Sequence, residues 1–223
     1  MTDVPIRDAS TVIVLRDTHT TPKVLMGQRG KTAAFMPDKF VFPGGAVDPA
    51  DAQIELDGAP HPDCVKRLDM MTSGSRAHAL LACAIRELWE ETGQILGKPS
   101  PDAASDHPDW TKFHATGHLP SATGLRYVFR AITPPGRPRR FDVRFFMLDV
   151  SALASDPDDF SNASDELSHL HWVSLPEARQ LNLPFITEVV LAEIASLATT
   201  KGPPDSVPFF KNDQINSQFL RLT

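Results

Sequence analysis

The clearest chemistry in this sequence lies in one short run, Ala82-Cys83-Ala84-Ile85-Arg86-Glu87-Leu88-Trp89-Glu90-Glu91-Thr92-Gly93. In a helix, Glu87 and Glu91 are one turn apart and stack along the axis. At about 100° per residue, Glu87, Glu90 and Glu91 share one wedge of the surface. Carboxylates this close repel one another unless a proton or a cation intervenes. The simplest partner is a hard divalent cation with oxygen ligands, Mg2+ or Mn2+. Arg86 stands one turn before Glu90 and can fix its rotamer. The plainer alternative is a solvated acidic face. A second feature favours a site: Phe40-Val41-Phe42-Pro43-Gly44-Gly45 is a strand running into a turn. A glycine pair there lets backbone approach a ligand closely.

Several elements must position these groups. Ala77, Leu80, Leu81, Ala84, Ile85, Leu88 and Thr92 recur at helical spacing, so one stripe of that helix faces a core. Ser75 is the expected N-cap and Gly93 the expected stop. Ser10 to Leu15 and Lys23 to Gln28 read as a strand pair around a polar turn. The loop Gly30 to Asp38, with Arg29 just before it, offers Lys31, Phe35 and Met36 to a ligand, or is simply mobile. Leu125 to Thr133 reads as a strand with Tyr127 and Phe129 on one face. In the next strand, Arg139 to Phe146, alternation sets Phe141, Val143 and Phe145 against Arg140, Asp142 and Arg144. Two arginines on one face suit a diphosphate, because guanidinium forks match phosphate oxygens. The alternative is an edge strand guarded by charge. Glu166 to Val173 reads as a further strand, and Pro176 to Leu181 and Thr187 to Thr199 as helices. Gly97 to Gly117 and Ala152 to Ser164 read as loops, and the residues after Lys201 as a Pro-rich tail. Strands alternating with helices point to a mixed sheet between helices.

Gly45 and Arg86-Glu87-Leu88-Trp89-Glu90-Glu91-Thr92-Gly93 together resemble the signature of the Nudix hydrolase family. The chain departs from it in three places. Asp51 stands where the family usually has glutamate, residues 52 to 85 intervene before the arginine, and Gln94 takes the final aliphatic position. The long insertion and Phe35-Met36-Pro37 are similar to the subgroup that contains the peroxisomal coenzyme A diphosphatase. The resemblance implies an α/β/α sandwich with a mixed β-sheet, and a metal-dependent diphosphatase acting on a nucleoside-diphosphate-type substrate such as coenzyme A. ADP-ribose and nucleotide sugars are alternative substrates, and a non-hydrolysing ligand sensor is a rival of another class. On this reading Glu87 and Glu91 ligate the metal, Glu90 is a third ligand or the base, and Arg86 supports it. Glu166, or its neighbour Asp165, lies where many family members hold an extra ligand or base. Gly44, Gly45, Phe35, Arg140 and Arg144 form the expected substrate-binding set.

The 223 residues suit one domain, 1–223, with an insertion at about 52–75 and a tail from about 201. A net charge of −6 argues against nucleic acid as the main partner. Cys64 and Cys83 show neither metal spacing nor a disulfide framework, which fits a reducing cytoplasm. No stretch is apolar and long enough for a signal or a membrane span, and Arg221-Leu222-Thr223 is not the usual peroxisomal address. The expected partner is a small-molecule diphosphate, with homodimerisation left open.

Overall fold

The computed structural model describes residues 4–105, 107–212 and 216–223. In chain order the strands and helices are β1 (Ile6–Arg16), β2 (Lys23–Arg29), β3 (Phe40–Val41), β4 (Gly44–Ala46), α1 (Pro62–Leu68), α2 (Ala77–Thr92), β5 (Gly97–Pro99), α3 (Pro108–His114), β6 (His118–Pro120), β7 (Arg126–Ile132), β8 (Arg140–Asp149), β9 (Leu167–Ser174), α4 (Leu175–Ala178), α5 (Phe185–Leu197), β10 (Val207–Asn212) and β11 (Ser217–Leu222). The main sheet runs β11-β10-β7-β8-β1-β2-β3, with β4 also paired to β1 and β9 to β2. It is mixed: β8 lies parallel to β1 and β10 parallel to β7, while the other pairs are antiparallel.

Alternation along β1 builds both layers. Val12 and Val14 point to α2 with Leu80, Ala84, Ile85 and Leu88. Ile13 and Leu15 point the other way, to Val190, Leu191 and Ile194 of α5. The result is the expected α/β/α sandwich, since each sheet face must bury its apolar side against a helix. No helix among the described residues is long and apolar enough to cross a membrane.

Several local expectations are corrected. Tyr127 and Phe129 do not share a face. A bulge between them turns Tyr127 to the α2 layer and Phe129 to the α5 layer. The strand with the two arginines is interior, flanked by β7 and β1. Ser75 does not cap α2. Its hydroxyl donates to Asp69, whose other oxygen accepts from Arg76 N and Ala77 N. The stretch Gly97 to Gly117 holds α3, which buries Trp110 and Phe113. The supposed tail is the β10–β11 hairpin, with Phe209 in the core. The insertion clasps the sheet: Arg67 donates to Pro204 O and Asp205 O, and Arg130 to Met70 O.

Candidate active site

Helix α2 brings Arg86, Glu87, Glu90 and Glu91 against the turn at Gly44 and Gly45. The helix stops at Gly93, whose φ of 72° is the left-handed geometry that glycine takes without penalty. Gly44 N donates to Glu91 Oε2 at 2.7 Å. A Cβ on Gly45 would run into the Glu87 carboxylate, so any side chain there would displace Glu87 from this position. The two glycines therefore let the turn close over the two carboxylates.

Arg86 is the hub. Its Nε and Nη2 donate to both oxygens of Asp51 at 2.9 and 3.0 Å, and Nη1 donates to Glu87 at 2.9 Å and Glu90 at 3.0 Å. Nη2 also reaches Ala46 O at 3.0 Å. Burial pulls the guanidinium's pKa down, but the bond to Asp51 and the charge of Glu87 outweigh it and the net shift is upward. Arg86 therefore stays charged. The glutamates move the opposite way to ordinary surface acids. Burial raises Glu87 to about 7 against the pull of Arg86, with the charge of Glu90 adding to the rise. Burial and the charge of Glu87 raise Glu91 well above the normal range. Burial also raises Glu90, again opposed by Arg86.

This set suits a hard divalent cation. Glu87 and Glu91 are buried carboxylates that repel each other, and one arginine does not neutralise the cluster. Arg86 holds Glu87 and Glu90 on one side, and Glu91 turns to Gly44.

No family model matches the chain. Over 182 residues it is 29% identical to the putative nudix hydrolase 7 of Caenorhabditis elegans, covering 77% of this chain and 52% of that one. Over 210 residues it is 27% identical to the acyl-coenzyme A diphosphatase NUDT19 of Gallus gallus, covering 70% and 55%. The chain thus spans about half the length of these curated relatives. The crystal structure of a NUDIX hydrolase from Alicyclobacillus acidocaldarius superposes with a TM-score of 0.65 at 26% identity, covering 87% of this chain and 93% of that one. By sequence and by fold the chain is similar to Nudix hydrolases.

The other residues expected at the site are scattered more widely. Glu166 is exposed just before β9, and its charge adds to the upward shifts of Glu87 and Glu91, so the fold brings it near α2. Asp165 is exposed. Asp51 is fully buried as the clamp on Arg86, and it also accepts from Trp110 Nε1 at 3.3 Å. Phe35 lines a cleft of about 710 Å3 on the α5 side of the sheet, edge-on to Phe141 at 5.3 Å. The same cleft reaches Thr11 and Phe42, and Thr11 pairs with Gly44. A second hollow, of about 470 Å3 between Thr18 and Gly202, includes none of the glutamates.

The expectation for Arg140 and Arg144 is corrected. Arg144 is fully buried and donates to Asp8 at 2.7 Å and Asp142 O at 2.9 Å. Arg140 donates to Thr133 O at 3.0 Å and Asn212 O at 3.1 Å. Alternation in β8 is as read, but the face that lines the cleft is the apolar one, with Phe141, Val143 and Phe145. The arginine face lies under α2, where Ser10 beside Arg144 donates to Leu80 O.

A different arginine lies near the glutamates. The charge of Arg29, at the end of β2, opposes the upward shift of Glu91, and its buried Nε has no partner. Arg29 pairs with Leu167, one residue after Glu166. Its place just before the Gly30 loop was a sequence signal, but only the pairing of β2 with β9 sets it beside the glutamates.

Proposed function

We propose that this chain is a metal-dependent diphosphatase acting on a nucleoside-diphosphate-type substrate, with coenzyme A or a derivative as the leading candidate. The observation that carries this is the acidic surplus at α2: Glu87 and Glu91 are buried and raised, beneath a glycine turn, with Arg86 committed to Asp51. Mg2+ or Mn2+ bound by Glu87 and Glu91 would supply charge neutralisation and a more acidic water. The remaining work belongs to the chain. Arg86 keeps Glu90 in one rotamer, so that Glu90 can complete the ion's ligands or accept a proton. Glu166, exposed beside them, is the alternative base. Arg29 presents a cation to a phosphate. The cleft with Phe35, Phe141 and Phe145 takes an apolar portion of the substrate. Such division suits phosphoryl chemistry, where positioning and electrostatics dominate.

The test is a panel of coenzyme A, acyl-coenzyme A, ADP-ribose and nucleotide sugars with Mg2+ or Mn2+, run on wild type and Glu91→Gln. Turnover of a coenzyme A compound that Glu91→Gln loses supports the proposal. Tight binding without turnover across the panel would make the chain a sensor instead.

A further inference from the structure

The clamp on Arg86 has a support from outside its own turn. Asp51 is fully buried, and its two oxygens accept four hydrogen bonds. Two come from Arg86. A third comes from Asp48 N at 2.9 Å, within the same turn. The fourth comes from Trp110 Nε1 at 3.3 Å, on α3. A carboxylate offers about four lone-pair sites, so Asp51 is saturated. Trp110 is the tether that joins this turn to another element.

Packing on α3 holds the indole in one orientation. Trp110 is fully buried, edge-on to Phe113 at 5.6 Å and 6.1 Å from the His114 ring. Phe113 in turn stands edge-on to Trp89 of α2 at 6.0 Å. Helix α3 therefore grips α2 twice, by packing at Trp89 and through Asp51 at Arg86. The indole N–H only donates, and a donor locked by packing fixes the carboxylate it meets. Asp51 then sets the Arg86 fork, whose Nη1 reaches Glu87 at 2.9 Å and Glu90 at 3.0 Å.

We propose that Trp110 is a positioning residue for the glutamate site, an assignment that rests on the diphosphatase reading of that site. Its N–H holds the Asp51 carboxylate, and through it the Arg86 guanidinium, where Nη1 bridges Glu87 and Glu90. Without the N–H, one Asp51 lone pair is buried unpaired and the carboxylate is free to pivot about Asp48 N. Arg86 follows it, and the two glutamates lose their common partner. Trp110 acts through Asp51 and not on the substrate, so its loss is felt in kcat rather than KM.

Trp110→Phe keeps an aromatic ring and deletes the N–H. Benzothienylalanine at the same position keeps the bicyclic shape, with sulfur in place of the N–H, and carries the test if circular dichroism shows Trp110→Phe unfolded. Hydrogen exchange at the Arg86 Nε–H, followed by NMR on arginine-labelled protein without metal or substrate, should quicken by about tenfold or more. On the best substrate of the panel, kcat should fall by about tenfold with KM kept. Phe113→Leu, which loosens the same packing but keeps the N–H, should change neither. Added to Asp51→Asn, Trp110→Phe should lower kcat no further, because the carboxylate it holds is gone. Unchanged Arg86 exchange or unchanged kcat without the N–H would overturn the proposal. Equal losses in Phe113→Leu would reduce Trp110 to packing and overturn it too. If wild type turns over nothing in the panel, the diphosphatase reading fails, and the exchange measurement alone decides whether Trp110 holds Arg86.

Discussion

Two arginine-centred networks in this molecule use the same residue types and reach opposite results. In the first, Arg86 serves Asp51, Glu87 and Glu90, while Glu91 and Glu166 stand close by without an arginine bond. Acid is in surplus, and Glu90 keeps 35% of its side chain exposed. In the second, Arg76, Arg130 and Arg144 surround Asp8 and Asp142. There the arginines are in surplus, the backbone carbonyls of Met70 and Asp142 take up donors, and Arg144 is sealed from solvent. A surplus of buried carboxylate with an open edge invites a cation and a phosphate. A network in which arginine outnumbers carboxylate holds β1, β7 and β8 to the insertion. The sign of the surplus and the access of solvent separate a site from a brace.

The sharpest way to break this comparison is Arg144→Ala. Removing one member of a buried ion network costs about 3–5 kcal/mol. We expect a fall in urea midpoint of that order, with kcat/KM of the folded fraction unchanged. A stable variant with lost activity would move Arg144 from the brace to the site.

Glu91→Gln should do the reverse. Loss of a charge-stabilising group typically costs about 10²–10³ in kcat, and chemical stability at neutral pH should hold or rise because a buried charge is removed. Near-normal turnover would take Glu91 out of the site.

The protonation of the acidic cluster sharpens the contrast further. Glu87 sits near 7 when folded, against an ordinary value of 4.5, and Glu91 is raised as well. Between those values the folded chain binds more protons than the unfolded one, so ion-free stability falls as pH rises. Divalent ions compete with those protons. Melting temperature in EDTA should drop from about pH 5 to about pH 7.5, and the stabilisation by Mg2+ should grow over the same window. A Mg2+ effect independent of pH would exclude Glu87 and Glu91 as ligands.

The smallest expected effect lies in the cleft. Phe35→Ala removes one edge-on aromatic contact with Phe141, worth about 0.5–1.5 kcal/mol. KM for the best substrate should rise about threefold to tenfold, with kcat nearly kept. A kcat defect with unchanged KM would show that Phe35 shapes the reacting centre instead.

Much of the site was legible because it is local. Helical periodicity alone puts Glu87 and Glu91 on one line, puts Arg86 one turn from Glu90, and stops the helix at Gly93. The mixed sheet was legible from strand alternation, down to which β8 residues share a face. What alternation leaves open is which face meets a helix and which meets a cleft, and here Arg140 and Arg144 went to the helix side. A single bulge was enough to send Tyr127 and Phe129 to opposite layers.

The sequence by itself determined the chemistry on α2, because contacts within a few residues follow from helix geometry. It also determined the alternation of strands and helices that makes a layered fold. Only the tertiary structure decided that Asp51 clamps Arg86, that Arg29 and Glu166 reach the glutamates through the β2–β9 pairing, and that Trp110 meets Asp51. Those contacts join segments dozens of residues apart. They arise from sheet register and burial, which no local spacing encodes.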